Sequence, residues 1–199
     1  TWVSSTTLES FLQTVPSHVL VILDEAYFEY VEEERYPDGV SLLSSYPNLV
    51  VTRTFSKIYG LAGLRVGYSI SSPDVADIMN RVRQPFNVNV AGYAAAITLL
   101  GNQKFVRESR ELNMIEMGRM SKRLGEIGLS WIPSVGNFIA VDLAREAESI
   151  VMSMLRAGVI VRPIANYGMP NHIRVTIGLE QENKRALDAL ESAVSEGSN

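Results

Sequence analysis

Two short β-branched runs that break off abruptly into polar residues limit what this chain can fold into. Val19-Leu20-Val21-Ile22-Leu23 stops at Asp24-Glu25-Ala26-Tyr27, and Leu49-Val50-Val51-Thr52 runs on into Thr54-Phe55-Ser56-Lys57. A continuous apolar run without polar alternation predicts a strand buried on both faces, as in a parallel sheet under helices. Open α/β sheets gather their ligands outside the carboxyl ends of the strands, so both polar breaks mark a candidate site.

The remaining pattern supports an α/β protein. Residues 8–12 read as part of an amphipathic helix, Leu42-Leu43 as a short helical piece, and 66–70 as a third strand. Ser72, Pro73 and Asp74 supply an N-cap, a first-turn proline and an early acid for a helix through Val82. Residues 92–100 are small and apolar enough for a buried helix. Residues 105–127 predict a long amphipathic helix ending at Gly128, with Phe105, Leu112, Ile115 and Leu124 on its inner face. Beyond it, strands over 138–143, 159–162 and 173–177 alternate with helices over 147–156 and 182–195, a compact α+β unit. Leu187, Leu190 and Val194 line one face of the last helix. One helix can bridge two cores, which places a domain boundary within it, between 1–113 and 114–199.

Composition narrows the chemistry. The 199 residues are 46% hydrophobic, enough for a real core, and carry a net charge of −4, which disfavours a nucleic-acid partner. Cysteine is absent, removing disulfides and thiolate sites, and the two histidines, His18 and His172, have no partner at metal-ligand spacing, so no metal is expected. No apolar run approaches membrane length and no leader pattern opens the chain, giving a soluble, cytoplasmic reading without a membrane partner. The start, Thr1-Trp2-Val3, lacks an initiator methionine, and 6–9 reads like a helix entry; the sequence reads as a piece of something longer.

The strand ends hold the reactive groups. A lysine is ordinarily a solvated surface residue. Lys57, directly after an apolar strand and beside Ser56, sits where loss of water makes an amine nucleophilic, able to form a Schiff base with an aldehyde. Asp24 is either a strand-end cap or a carboxylate paired with a pyridinium nitrogen. Tyr27 is either core or a hydroxyl donor to the same cofactor, and Glu25 reads as a structural or surface carboxylate. Thr54, Ser56 and Arg65 together form a phosphate cup, since a guanidinium grips two oxygens at once; singly, each hydroxyl reads as a loop residue. Gly60, Gly63 and Gly67 do not make a dinucleotide fingerprint. Arg162 closes one strand and Arg174 sits inside another. An arginine in a β-branched strand needs an anion or must face solvent.

Asp24-Glu25-Ala26-Tyr27, Ser56-Lys57, Gly60-Leu61-Ala62-Gly63-Leu64-Arg65-Val66-Gly67-Tyr68 and Ile173-Arg174-Val175-Thr176-Ile177-Gly178 resemble, in order, the fold-type-I pyridoxal-phosphate-dependent aminotransferases. Val161-Arg162-Pro163 and Tyr167-Gly168-Met169-Pro170-Asn171 are most similar to the histidinol-phosphate branch. The resemblance implies pyridoxal 5'-phosphate as cofactor, with Lys57 holding it and shuttling the proton. Asp24 would face the pyridine nitrogen, Tyr27 the 3-oxygen, and Thr54, Ser56 and Arg65 the phosphate. Arg174 and Arg162 would bind the substrate's anionic group, and Asn137 in Gly136-Asn137-Phe138 matches a further family position, where its side chain contacts substrate or only orders the loop. It implies a small-molecule amino donor, histidinol phosphate, a 2-oxo acid acceptor, a homodimer and a role in histidine biosynthesis. The family's N-terminal portion has no counterpart here, so 1–113 corresponds to the C-terminal part of the large cofactor-binding domain and 114–199 to the complete small domain. Activity is then expected of the parent protein and not of these residues alone. Other transaminases or a phosphothreonine-type decarboxylase of the same fold, or a non-catalytic sensor half of a regulator, are the alternatives.

Overall fold

The computed structural model of the chain describes residues 2–196. They divide within one long helix into two compact units, 2–109 and 110 onward.

The first unit is built on a three-stranded sheet ordered β1-β2-β3, from β1 (Val21–Asp24), β2 (Leu49–Thr54) and β3 (Gly67–Ser71). β1 runs parallel to β2, with Asp24 level with Thr52, and β3 returns antiparallel, with Gly67 level with Thr54. Helix α1 (Ser5–Thr14), entered through a Ser4 cap whose hydroxyl accepts from the Thr7 N–H, places Leu8 and Leu12 on a small core with Leu49 and Val51. The one-turn helix α2 (Gly39–Leu42) follows. Helices α3 (Pro73–Val82) and α4 (Val90–Leu100) complete this unit with the first turns of α5 (Gln103–Glu126). A second cluster, Phe55, Ile58, Tyr59, Val66, Ala96 and Val106, packs beneath the loop after β2.

Several expectations for this unit change. β2 is buried through Leu49, Val50 and Val51, but β1 is an edge strand among the described residues and leaves Ile22 69% exposed. Its apolar run is therefore covered on one face only. Helix α4, expected to be buried for its small apolar residues, tucks in only Gly92 and Ala96; Val90, Tyr93 and Ile97 are exposed. Ser72 stands at the N-cap of α3 with Pro73 behind it, but its side chain makes no capping bond.

The second unit carries a four-stranded antiparallel sheet ordered β4-β5-β7-β6, from β4 (Ser130–Ile132), β5 (Phe138–Asp142), β6 (Arg162–Pro163) and β7 (His172–Thr176). β4 is a three-residue strand with no pattern in the sequence to mark it. Helices α6 (Glu148–Arg156) and α7 (Glu180–Glu196) and the rest of α5 contribute to one core with the sheet: Met120, Leu124, Ile139, Val141, Ile150, Met154, Ile173 and Leu190 are nearly solvent-free. Leu187 and Leu190 of α7 are buried as their spacing predicts. In α5 the inner stripe differs: Phe105, Leu112 and Ile115 are exposed, and Glu116, Met120 and Leu124 are buried at four-residue steps. A charged residue heads the true stripe, which hides its phase.

Candidate active site

The first unit holds one cluster at the carboxyl ends of β1 and β2. Asp24 ends β1 with an exposed carboxylate whose Oδ1 accepts from the Ala26 N–H at 3.1 Å and from the Thr52 hydroxyl at 3.5 Å. The strand-end cap, one of the two readings of this residue, is formed, and it holds the carboxylate beside the neighbouring strand. Tyr27, three residues on, precedes a 3-10 turn over Phe28–Tyr30. Beyond Thr54, the last residue of β2, the chain passes through Phe55 and Ser56 to the half-buried Lys57. Its Nζ stands 5.2 Å from the centre of the Tyr27 ring. This contact joins the two strand ends, as an ammonium over an aromatic face is attracted by the ring's quadrupole.

Thr54, Ser56 and Arg65 converge on one loop. The Thr54 hydroxyl accepts from the Ser56 N–H at 3.0 Å, and Arg65 Nη1 donates to the Ser56 hydroxyl at 3.5 Å and to the Ala62 carbonyl at 2.7 Å. Arg65 is held in the left-handed region at φ 56°, a conformation that a non-glycine residue adopts at a cost of about 1 kcal/mol or more. The preceding carbonyl of Leu64 accepts from Asn89 Nδ2 at 2.9 Å, while Asn89 Oδ1 caps α4 through the Gly92 N–H at 2.7 Å. The turn that aims Arg65 is therefore pinned by the start of a helix. Nothing in the sequence marks Asn89, because its spacing from Arg65 carries no pattern.

Behind this cluster lies a second polar group that the sequence pattern does not single out. Glu25 is only 1% exposed, and its Oε1 accepts from the Gly39 N–H at 2.7 Å. Its Oε2 accepts from Arg53 Nε at 2.9 Å and pairs with Nη2 at 2.8 Å; Nη2 also reaches Asp38 Oδ1 at 2.9 Å. The Arg53 guanidinium lies 3.6 Å from the centre of the Phe28 ring. Desolvation works against the charge on Arg53, but the hydrogen bond and charge of Glu25 outweigh it and raise its pKa above the ordinary arginine value. Glu29 nearby is pushed up, chiefly by burial. An arginine within a β-branched strand is the available signal for Arg53, the same that singles out Arg174.

In the second unit, Arg162 and Arg174 occupy paired positions on β6 and β7. Ile173 and Val175 beside Arg174 are buried in the core, so by strand alternation Arg174 belongs to the opposite face. Its guanidinium lies 4.9 Å from the centre of the Phe138 ring. Asn137, immediately before β5, accepts from the Ile177 N–H through its carbonyl at 2.9 Å, which ties the start of β5 to the end of β7. A cleft of about 640 Å³ is lined by Arg162, Arg174, Thr176, Glu182 and Arg185 among others. The two clusters thus comprise Asp24, Tyr27, Thr54, Ser56, Lys57 and Arg65 in one unit, and Asn137, Arg162 and Arg174 in the other.

Known proteins are similar to this chain over nearly all of its length. A family model described as aminotransferase class I and II matches residues 1–190. A histidinol-phosphate aminotransferase 2 of Pseudomonas fluorescens strain Pf0-1 is 57% identical over 197 residues, covering 99% of this chain and 53% of that protein. A namesake from Pseudomonas aeruginosa is 56% identical over 190 residues, 96% of this chain and 52% of its own length. The crystal structure of histidinol-phosphate aminotransferase from Sinorhizobium meliloti in complex with pyridoxal-5'-phosphate superposes with a TM-score of 0.90 at 31% identity, covering 98% of this chain and 54% of that one. The chain spans about half the length of the curated relatives it matches.

Proposed function

Because the chain belongs to the aminotransferase class I and II family, we propose that its parent protein is a pyridoxal-phosphate-dependent aminotransferase that moves an amino group from histidinol phosphate to 2-oxoglutarate. The observation that carries this reading is the contact of Lys57 with Tyr27, which brings an amine beyond the end of β2 to the segment that follows Asp24 at the end of β1. The donor set fits the cofactor: two hydroxyls and a guanidinium suit a dianionic phosphate, and a strand-end carboxylate suits a protonated ring nitrogen. When bound, pyridoxal phosphate supplies an electron sink for the substrate's Cα.

Each residue then has a role of its own. Lys57 Nζ would hold the cofactor through its aldehyde carbon, whose oxygen leaves as water, and would carry a proton at the substrate Cα. Asp24 would keep a proton on the ring nitrogen, and the Tyr27 hydroxyl would donate toward the 3-oxygen. Thr54, Ser56 and Arg65 grip the phosphate. Arg162 and Arg174 take the anionic end of the substrate, a phosphate in the donor and a carboxylate in the acceptor, while Asn137 holds the adjoining loop. In this reading 1–113 is the C-terminal part of the large domain and 114–199 the small domain, and the parent works as a cytoplasmic homodimer. A substrate panel tests it: the whole protein should turn over histidinol phosphate with 2-oxoglutarate faster than phenylalanine, tyrosine or aspartate. Preference for one of those three would replace the assigned donor.

A further inference from the structure

The buried pair Glu25–Arg53 lies outside the group of residues given roles above, and nothing in its chemistry requires it to be charged for the sake of the core. A buried ion pair can often be replaced by apolar residues of similar volume without loss of stability. Its position is more telling. Along β2, Thr52 touches the Asp24 carboxylate, Arg53 turns to Glu25, and Thr54 anchors the Ser56 loop. Successive side chains of a strand point to opposite faces, so Arg53 faces away from Thr52, which holds Asp24, and from Thr54, which is proposed to meet the cofactor.

The segment between Asp24 and Tyr27 is held through Glu25 on every side. Its N–H donates to the Thr52 carbonyl at 2.9 Å, and its carbonyl accepts from the Phe28 N–H at 3.0 Å. Its side chain is fixed by Gly39 and Arg53, and Arg53 in turn lies over Phe28, the residue after Tyr27. A Cβ at position 39 would come 2.9 Å from Glu25 Oε1 and 2.5 Å from Leu23 Cδ2, so the backbone approach that donates to Glu25 needs glycine. We propose that Glu25 and Arg53 are positioning residues that set the direction of Asp24 and Tyr27 toward the cofactor ring. The proposal rests on the cofactor assignment of the preceding subsection.

The test follows the pH titration of the protein-bound pyridoxal phosphate chromophore in the whole protein, alongside thermal unfolding. A correctly aimed Asp24 keeps positive charge on the ring, and that charge lowers the pH at which the chromophore loses its proton. Arg53→Met should therefore raise the titration midpoint by about one pH unit and weaken pyridoxal phosphate binding about tenfold, with Arg53→Lys restoring part of both. Arg53→Met alone strands a buried carboxylate, so Glu25→Gln/Arg53→Met, which removes both charges, is measured beside it; the same upward shift is expected. A lowered melting temperature with an unmoved midpoint in the double variant would reduce the pair to a structural role and overturn the proposal. Lys57→Ala separates the two claims. If its chromophore persists, the cofactor reading fails and the proposal with it; if the chromophore vanishes there while the double variant titrates like the unsubstituted protein, positioning alone fails.

Discussion

Arg162 and Arg174 stand directly opposite each other on neighbouring antiparallel strands, two cations in register at the edge of the second sheet. Like charges in cross-strand pairs are destabilising, so the arrangement favours an anion that both can share. Arg174→Ala should raise KM for histidinol phosphate roughly ten- to a hundredfold, matching the 1.5–3 kcal/mol typical of a hydrogen bond to a charged group. Inorganic phosphate should also raise the melting temperature of the unsubstituted protein more than that of the variant. An unchanged KM would place Arg174 outside the substrate site.

Lys57 is expected to be indispensable for the visible chromophore. Mixed with pyridoxal phosphate, the whole protein should develop an absorbance band that Lys57→Ala lacks, and a spectrophotometer suffices to decide. Without the cofactor, the melting temperature should change little, because Lys57 is half-buried and its contact with Tyr27 is a single cation–π interaction of about 0.5–1 kcal/mol.

Arg65 separates backbone from side chain. Its left-handed φ of 56° suits glycine better than alanine. Arg65→Gly should therefore leave the protein about 1 kcal/mol more stable than Arg65→Ala in urea unfolding, while both bind pyridoxal phosphate far more weakly. Equal stabilities would show that the turn carries no strain.

Glu29 gives a pH signature. Burial raises its pKa in the folded state above the unfolded 4.5, so the folded protein binds more protons between those two values. Stability from this group is greatest below about pH 4.5 and declines as pH rises through the folded pKa. Glu29→Gln should thus melt higher than the unsubstituted protein at pH 7, with the difference disappearing in acid. Parallel melting curves across that range would refute the assignment.

The parts of this candidate site that the sequence marks are those whose chemistry is local. Lys57, Ser56 and Thr54 follow a strand directly, and Asp24 breaks an apolar run, so one-dimensional contrast marks them. Glu25 reads in the sequence as a structural or a surface carboxylate, and it is the structural one; its partners are not legible, because only the fold brings Arg53 and Gly39 to its two oxygens from 28 and 14 residues away. The stripe of α5 is misphased in the sequence because Glu116 is buried through long-range bonding, to Asn183 Nδ2 at 2.8 Å, which no periodicity announces. Helix α4 misleads for the opposite reason: apolar residues signal a surface to be covered, and the pattern does not say by what.

That last helix bears on how the chain behaves in solution. Val90, Tyr93, Ile97 and Leu100 of α4, with Ile78 and Val82 of α3, are all exposed, and β1 presents an edge strand with Ile22 uncovered. Greasy surface together with open strand edges promotes self-association. These uncovered faces should draw copies of the chain together as protein concentration and sulfate rise, a tendency that light scattering would read directly.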